Sequence, residues 1–144
     1  MSLVFLVGVD CSDCSSRALE YAAERARVKD ARLLVAHVIE WSPFQFSTPQ
    51  ENEERHRRRE EELQRAHEEI VDPIVAELRE QGVDAEGVVR HGHAADTLDD
   101  LAHEFEATNI IIGRQGSSRL RAKLFGSVAS TLVQIADRPV TVVP

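Results

Sequence analysis

The chain has 144 residues, 42% of them hydrophobic and 29% charged, and a formal net charge of -8. That length suits one domain with a real core, and that charge sets the surface as a whole against nucleic acid and anionic lipid. No apolar run approaches the roughly 18 residues of a membrane span, so neither membrane insertion nor nucleic-acid binding is expected.

The first apolar run, LVFLVGV at 3–9, is short, lacks a basic flank and ends at Asp10, which reads as a strand and not as a secretion signal. The next stretch, VDCSDCSS at 9–16, holds both cysteines of the chain, Cys11 and Cys14. Its C-x-x-C spacing leaves two readings: a dithiol redox centre, or a ligand-binding loop after the first strand of an α/β sheet. Asp10 and Asp13 beside Cys11 disfavour a thiolate, and the aromatic and proline neighbours of thioredoxin-like centres are missing. Two cysteines behind no signal point to a reducing compartment, the cytoplasm. Leu19, Ala22, Ala23 and Ala26 then recur at i, i+3, i+4 and i+7, a helical stripe.

A second strand is expected at 32–38, RLLVAHV. Residues 40–50, with Pro43 and Pro49, read as a loop, and 51–69 as a solvated helix with a thin stripe at Leu63, Ala66 and Ile70. Asp72-Pro73 either kinks this helix or restarts it through Ile74, Val75 and Leu78, giving a charged helical crossover over about 50–81. RHRRRE at 55–60 is flanked by Glu and reads as a solvated face, not a phosphate grip. DAEGVVR at 84–90 is a weaker strand. His91 and His93, beside Gly92, are expected to cap its end in solvent. With His37 they are metal candidates by type alone, since a zinc site on the cysteines needs two more ligands. Leu98, Leu101, Ala102 and Phe105 form another helical stripe, NIIIG at 109–113 a strand, Val128, Ala129, Leu132, Ile135 and Ala136 a third stripe, and PVTVV at 139–143 a last strand. Near-continuous apolar strands alternating with amphipathic helices give βαβ units and a doubly wound parallel α/β sheet.

The segment richest in chemistry is GRQGSSRLRAKLFGS, 113–127, between a strand and a helix. Glycines at 113, 116 and 126 let backbone approach a ligand closely. A Gly-Ser entering a helix offers free N–H groups, a hydroxyl and the positive end of the dipole, which together suit a phosphate. Neither a Walker A loop nor a Rossmann fingerprint is present.

These residues resemble the universal stress protein family of the UspA type. Its ATP-binding branch carries G-x2-G-x9-G-[ST], which stands here as Gly113, Gly116, Gly126 and Ser127. FLVGVDCSDCSSRALEYA resembles the family's opening strand and helix start, LLVAHVIE its second strand, HGHAADTLDDLA the segment before its third main helix, and FGSVASTLVQIADRPVTVV its ending. The resemblance implies a single domain over 1–144 with a five-stranded parallel sheet of order 3-2-1-4-5, about four helices on two faces, and ATP or AMP across the carboxyl edge. It places Asp10 near ribose and adenine, Val38 in the adenine pocket, and Gly113 and Gly116 at ribose and phosphates. Gly126, Ser127, Val128 and Ala129 would donate to the phosphates. Departures from the family pattern are Gly8 for Pro, Cys11 for Gly and Gln115 for His. Cys11 fits its position badly where the backbone needs a positive φ.

Three or four phosphate contacts at about 1.5–3 kcal/mol each scarcely exceed the cost of association. Micromolar affinity, about -8 kcal/mol, therefore requires a buried adenine. Val9, Val38 and Ile112 are expected to form that slot, and Cys11 and Arg114 are expected among the nucleotide-binding residues. Arg114, Arg119, Arg121 and Lys123 either meet phosphate or keep the loop soluble. No catalytic base is apparent, so the expected activity is binding of ATP or AMP, with Mg or Mn as a candidate counter-ion, and at most slow hydrolysis. The nucleotide state would order the loop at 114–125 for an unidentified protein partner to read. The resemblance also implies a homodimer through the last strand, about 139–143. The alternatives are a ligand-free dimeric interaction protein and a dithiol redox protein.

Overall fold

The computed structural model describes residues 3–40, 49–115 and 126–144. Along the chain it forms β1 (Val4–Gly8), α1 (Asp13–Lys29), β2 (Arg32–Glu40), α2 (Pro49–Ala66), α3 (Asp72–Glu80), β3 (Ala85–Gly92), α4 (Ala94–Glu104), β4 (Asn109–Gly113), α5 (Ser127–Ile135) and β5 (Val140–Val143). All five strands lie in one parallel sheet of order β3-β2-β1-β4-β5, as expected. With α2 and α3 joined end to end, four helical units cover its two faces.

The strands read as continuous apolar runs because successive side chains enter two separate cores. Val7, Leu33, Val35 and Ile111 face one side, under Ala18, Ala22 and Ala26 of α1 and Val75 and Leu78 of α3. Leu6, Leu34, Ile110 and Ile112 face the other, under Leu98, Leu101 and Ala102 of α4 and Ala129 and Leu132 of α5. Leu6 and Val7 are adjacent and both fully buried, which only a sheet covered on two sides permits.

The crossover at 49–80 resolves the choice between kink and restart at Asp72-Pro73. Residues His67–Val71 form a π turn, Ala66, Val71 and Asp72 keep right-handed helical angles, and Asp72 N–H donates to the His67 carbonyl five residues back. Proline at 73 has no N–H and crowds the carbonyl of Glu69, and the wider turn relieves that clash without ending the helix. The Asp72 carboxylate is not a cap; it sits 2.8 Å from His67 Nδ1. The π turn also seats Val71, fully buried, against Gly87 of β3, where an added Cβ would overlap Val71 Cγ1.

The weaker strand expected at 84–90 is present as β3, paired with β2 from Ala85 to Gly92. One expectation needs correction. His91 does not stand in solvent, for its side chain is only 11% exposed and its Nε2 lies 3.1 Å from the Arg59 carbonyl, beneath α2. His93, by contrast, is exposed and begins α4 without a side-chain cap.

Because the Val71–Gly87 fit holds the π turn to the sheet, Gly87→Ala should lower the unfolding free energy by about 1–3 kcal/mol in urea. Adding Val71→Ala should recover part of that loss; equal losses in single and double variants would refute the fit.

Candidate functional site

A cleft of about 510 Å³, counted out to its open mouth, lies at the carboxyl edge where β1 meets β4. Strand ends supply Gly8, Val9, Asp10, Ala36, Val38, Ile112 and Gly113, and α4 covers one flank with Ala94 and Leu98. Ser15 of α1, Arg114, Gln115, Gly126, Val128 and Ala129 complete the described wall. Gly8 brings Leu98 in tightly: a Cβ there would stand 3.1 Å from Leu98 Cδ1.

The polar side is the N-terminus of α5. Gly126 begins this helix in extended conformation (φ -69°, ψ 164°) with no side-chain cap bond, and its own N–H donates to the Arg114 carbonyl at 2.8 Å. The first-turn N–H groups have no intrahelical acceptor, and the wall residues Gly126, Val128 and Ala129 come from this turn. The cleft therefore joins an apolar slot to a positive helix end, an arrangement suited to a flat apolar group carrying an anion.

Facing it, the loop after β1 is a network of short bonds. Asp10 Oδ1 accepts from Ser12 N–H at 3.0 Å and from Ser12 Oγ–H at 2.5 Å. Ser12 is the N-cap of α1, its Oγ accepting from Ser15 N–H at 3.1 Å. Ser15, 5% exposed, accepts the Asp10 N–H at 3.3 Å. Cys11 joins these residues with φ +66°, the left-handed region where the family pattern has glycine. Ser12 after it is extended (φ -83°, ψ 163°), and beyond it the Arg17 guanidinium donates to Cys14 Sγ at 3.0 Å. Both cysteines are unpaired.

Gly113 serves packing as well as the cleft. A Cβ there would meet the Cys14 backbone carbon at 2.7 Å, so α1 lies directly on the end of β4.

Of the expected site residues, Val9, Asp10, Val38, Ile112, Gly113, Arg114, Gly126, Val128 and Ala129 share this wall. Cys11 and Ser127 are exposed and stand outside it, and Gly116 lies outside the described residues, as do Arg119, Arg121 and Lys123. Sequence reasoning missed Gly8, Ser15, Ala36, Ala94, Leu98 and Gln115. The apolar periodicity of α4 marked Leu98 as buried, but only the fold shows that it is buried over β1.

The histidines named as metal candidates are not gathered. His37 Nδ1 lies 2.7 Å from the Val9 carbonyl, to which it must donate, and His91 is held by Arg59. A different group, Asp99, His103 and Asp137, does converge, with ligand atoms within 4.8 Å of one another. Arg138 already occupies it, with one guanidinium nitrogen 2.9 Å from His103 Nδ1 and 3.2 Å from Asp137 Oδ1. Its other terminal nitrogen binds the Ala102 and Ala107 carbonyls at 2.9 and 2.6 Å, so the cluster fastens β5's approach to the end of α4.

A model of the universal stress protein family matches residues 1–144. The chain belongs to the universal stress protein family. This universal stress protein is 31% identical over 155 residues to one from Mycobacterium tuberculosis, the match covering 99% of this chain and 48% of that one. It thus spans about half the length of its mycobacterial relatives. Among solved structures, UspA from Lactobacillus plantarum superposes with a TM-score of 0.82 at 22% identity, covering 99% of this chain and 97% of that one. The Archaeoglobus fulgidus universal stress protein, solved in complex with dAMP, gives 0.64 at 24% identity, covering 100% and 98%. A universal stress protein solved in complex with cAMP gives 0.66 at 23% identity, covering 99% and 96%. At these identities the structures establish the shared fold. No helix among the described residues is long and apolar enough to cross a membrane.

A left-handed residue other than glycine costs about 1–2 kcal/mol, partly offset by the unfolded-state entropy that glycine adds. Cys11→Gly should accordingly raise the unfolding free energy by about 0.5–1 kcal/mol; a lower midpoint in urea would show that the Cys11 side chain makes contacts that outweigh its backbone strain.

Proposed function

We propose that this universal stress protein binds an adenine nucleotide, ATP or AMP, in the cleft at the β1–β4 seam. The observation that carries the reading is the joining of an apolar slot to the N-terminus of α5 in a single cleft. Val9, Val38, Ile112 and Leu98 would enclose the base, Asp10 would take the ribose, and the backbone at Gly126–Ala129 would take phosphate, with the Ser127 hydroxyl beside it. The dAMP and cAMP bound by two relatives support the same ligand class.

Asp10 is the one carboxylate on the described wall, and Ser12 engages it. Mg or Mn would therefore arrive as the counter-ion of the phosphates. The reading is of a binding module with at most slow hydrolysis, whose nucleotide state a protein partner reads. Among the described residues β5 pairs with β4 and no strand lies on its other edge, which supports a homodimer through residues 139–143. The two unpaired cysteines fit the cytoplasm.

Protein purified without added nucleotide, then denatured and filtered, should release ATP or AMP stoichiometrically on mass spectrometry. Gly126→Leu, which fills the phosphate side of the cleft, should abolish that release. An empty protein with no ATP-dependent thermal shift would instead make it a ligand-free interaction protein.

A further inference from the structure

We propose that Ser12 is a positioning residue for the cleft, holding the Asp10 carboxylate in the orientation that receives the ribose hydroxyls of the nucleotide. This inference rests on the nucleotide reading above and assigns a role to a side chain absent from the cleft wall.

The directions of the hydrogen bonds are determined by chemistry. Ser12 Oγ accepts from Ser15 N–H at 3.1 Å, and an amide can only donate. The single hydroxyl proton is then directed to Asp10 Oδ1 at 2.5 Å, within the short range of a hydroxyl bonded to a carboxylate. The relay runs from Ser15 N–H through Ser12 Oγ–H to Asp10 Oδ1. Its origin in the first turn of α1 places the positive helix end behind the hydroxyl and polarises it toward the carboxylate.

Ser12 N–H adds a second bond to the same oxygen at 3.0 Å, so one residue holds Oδ1 from two directions and fixes the carboxylate plane. Cys11 makes this convergence available, since its left-handed backbone, φ +66°, lies in the turn that returns the chain from Asp10 to the Ser12 N–H. The main chain of Asp10 is tethered as well, through its N–H to Ser15 Oγ. Asp10 and Ser15 line the cleft and Ser12 does not, so Ser12 would act on a ligand only through Asp10.

The test compares two ligands on the full chain by calorimetry: ATP, and 2′,3′-dideoxy-ATP, which lacks the hydroxyls assigned to Asp10. Ser12→Ala removes the hydroxyl and should weaken ATP binding about tenfold while changing dideoxy-ATP by less than about twofold. Loss of the helix cap lowers the melting temperature but acts on both ligands alike, so the ratio reports positioning alone. Ser12→Thr keeps cap and hydroxyl and should restore ATP affinity to within about twofold of the parent. Equal weakening of both ligands, or no weakening of either, would overturn the role of Ser12 while leaving nucleotide binding intact. A parent chain that binds neither ligand would overturn the nucleotide reading, and this inference with it.

Discussion

A parallel sheet buried on both faces forces each connection between neighbouring strands to cross over a face, and in this chain the direction of crossing changes at the seam between β1 and β4. The helix after β1 packs on one core and the helix after β4 on the other. Among the described residues no connection covers the carboxyl ends at the seam, and the crevice there follows from the topology. The chemistry of the crevice follows from what the two departing connections leave at its edges. The β1 exit leaves Asp10 and the capping hydroxyls of α1, and the β4 exit leaves the uncapped start of α5.

The edges of the crevice are fixed more firmly than loops usually are. α1 lies on Gly113 so closely that no side chain fits between them. Arg114 then holds two elements through its backbone, its N–H donating to the Val143 carbonyl at 2.7 Å and its carbonyl accepting from Gly126. The end of β5 and the start of α5 therefore meet at one residue of the cleft wall. Arg17 extends the junction, binding the Pro144 carbonyl at 2.7 Å and Cys14 Sγ at 3.0 Å. Such preorganisation matters for a small ligand because ordering the site at the moment of binding would consume much of the contact energy.

The strands were legible because burial on two faces writes them as unbroken β-branched runs, and the helices because burial on one face writes them with helical period. β3 was faint: it is an edge strand whose Glu86, Gly87 and Arg90 answer to solvent and to Val71 as well as to the core. The π turn was not legible, since it settles a contest between Pro73 and the fit of Val71 on Gly87, residues 14 or more apart in sequence. His91 was misplaced for a related reason, because the burial of a strand-end histidine depends on where α2 passes over it. In the cleft, strand ends and the glycine pattern identified most of one wall, while Ala94 and Leu98 required the packing of α4 to be known. The glycine of the family pattern raised the question of a positive φ at Cys11 without answering it, and the backbone there has φ +66°.

The central claim, that the cleft at the strand switch is where nucleotide binds, is tested most directly by methyl and amide chemical shifts recorded while ATP is added to the labelled protein. The account predicts that the changes concentrate at Val9, Ala36, Val38, Leu98, Ile112, Val128 and Ala129. Saturable changes centred instead on the opposite core, at Ala22, Ala26, Val75 and Leu78, with the cleft methyls unmoved, would contradict it.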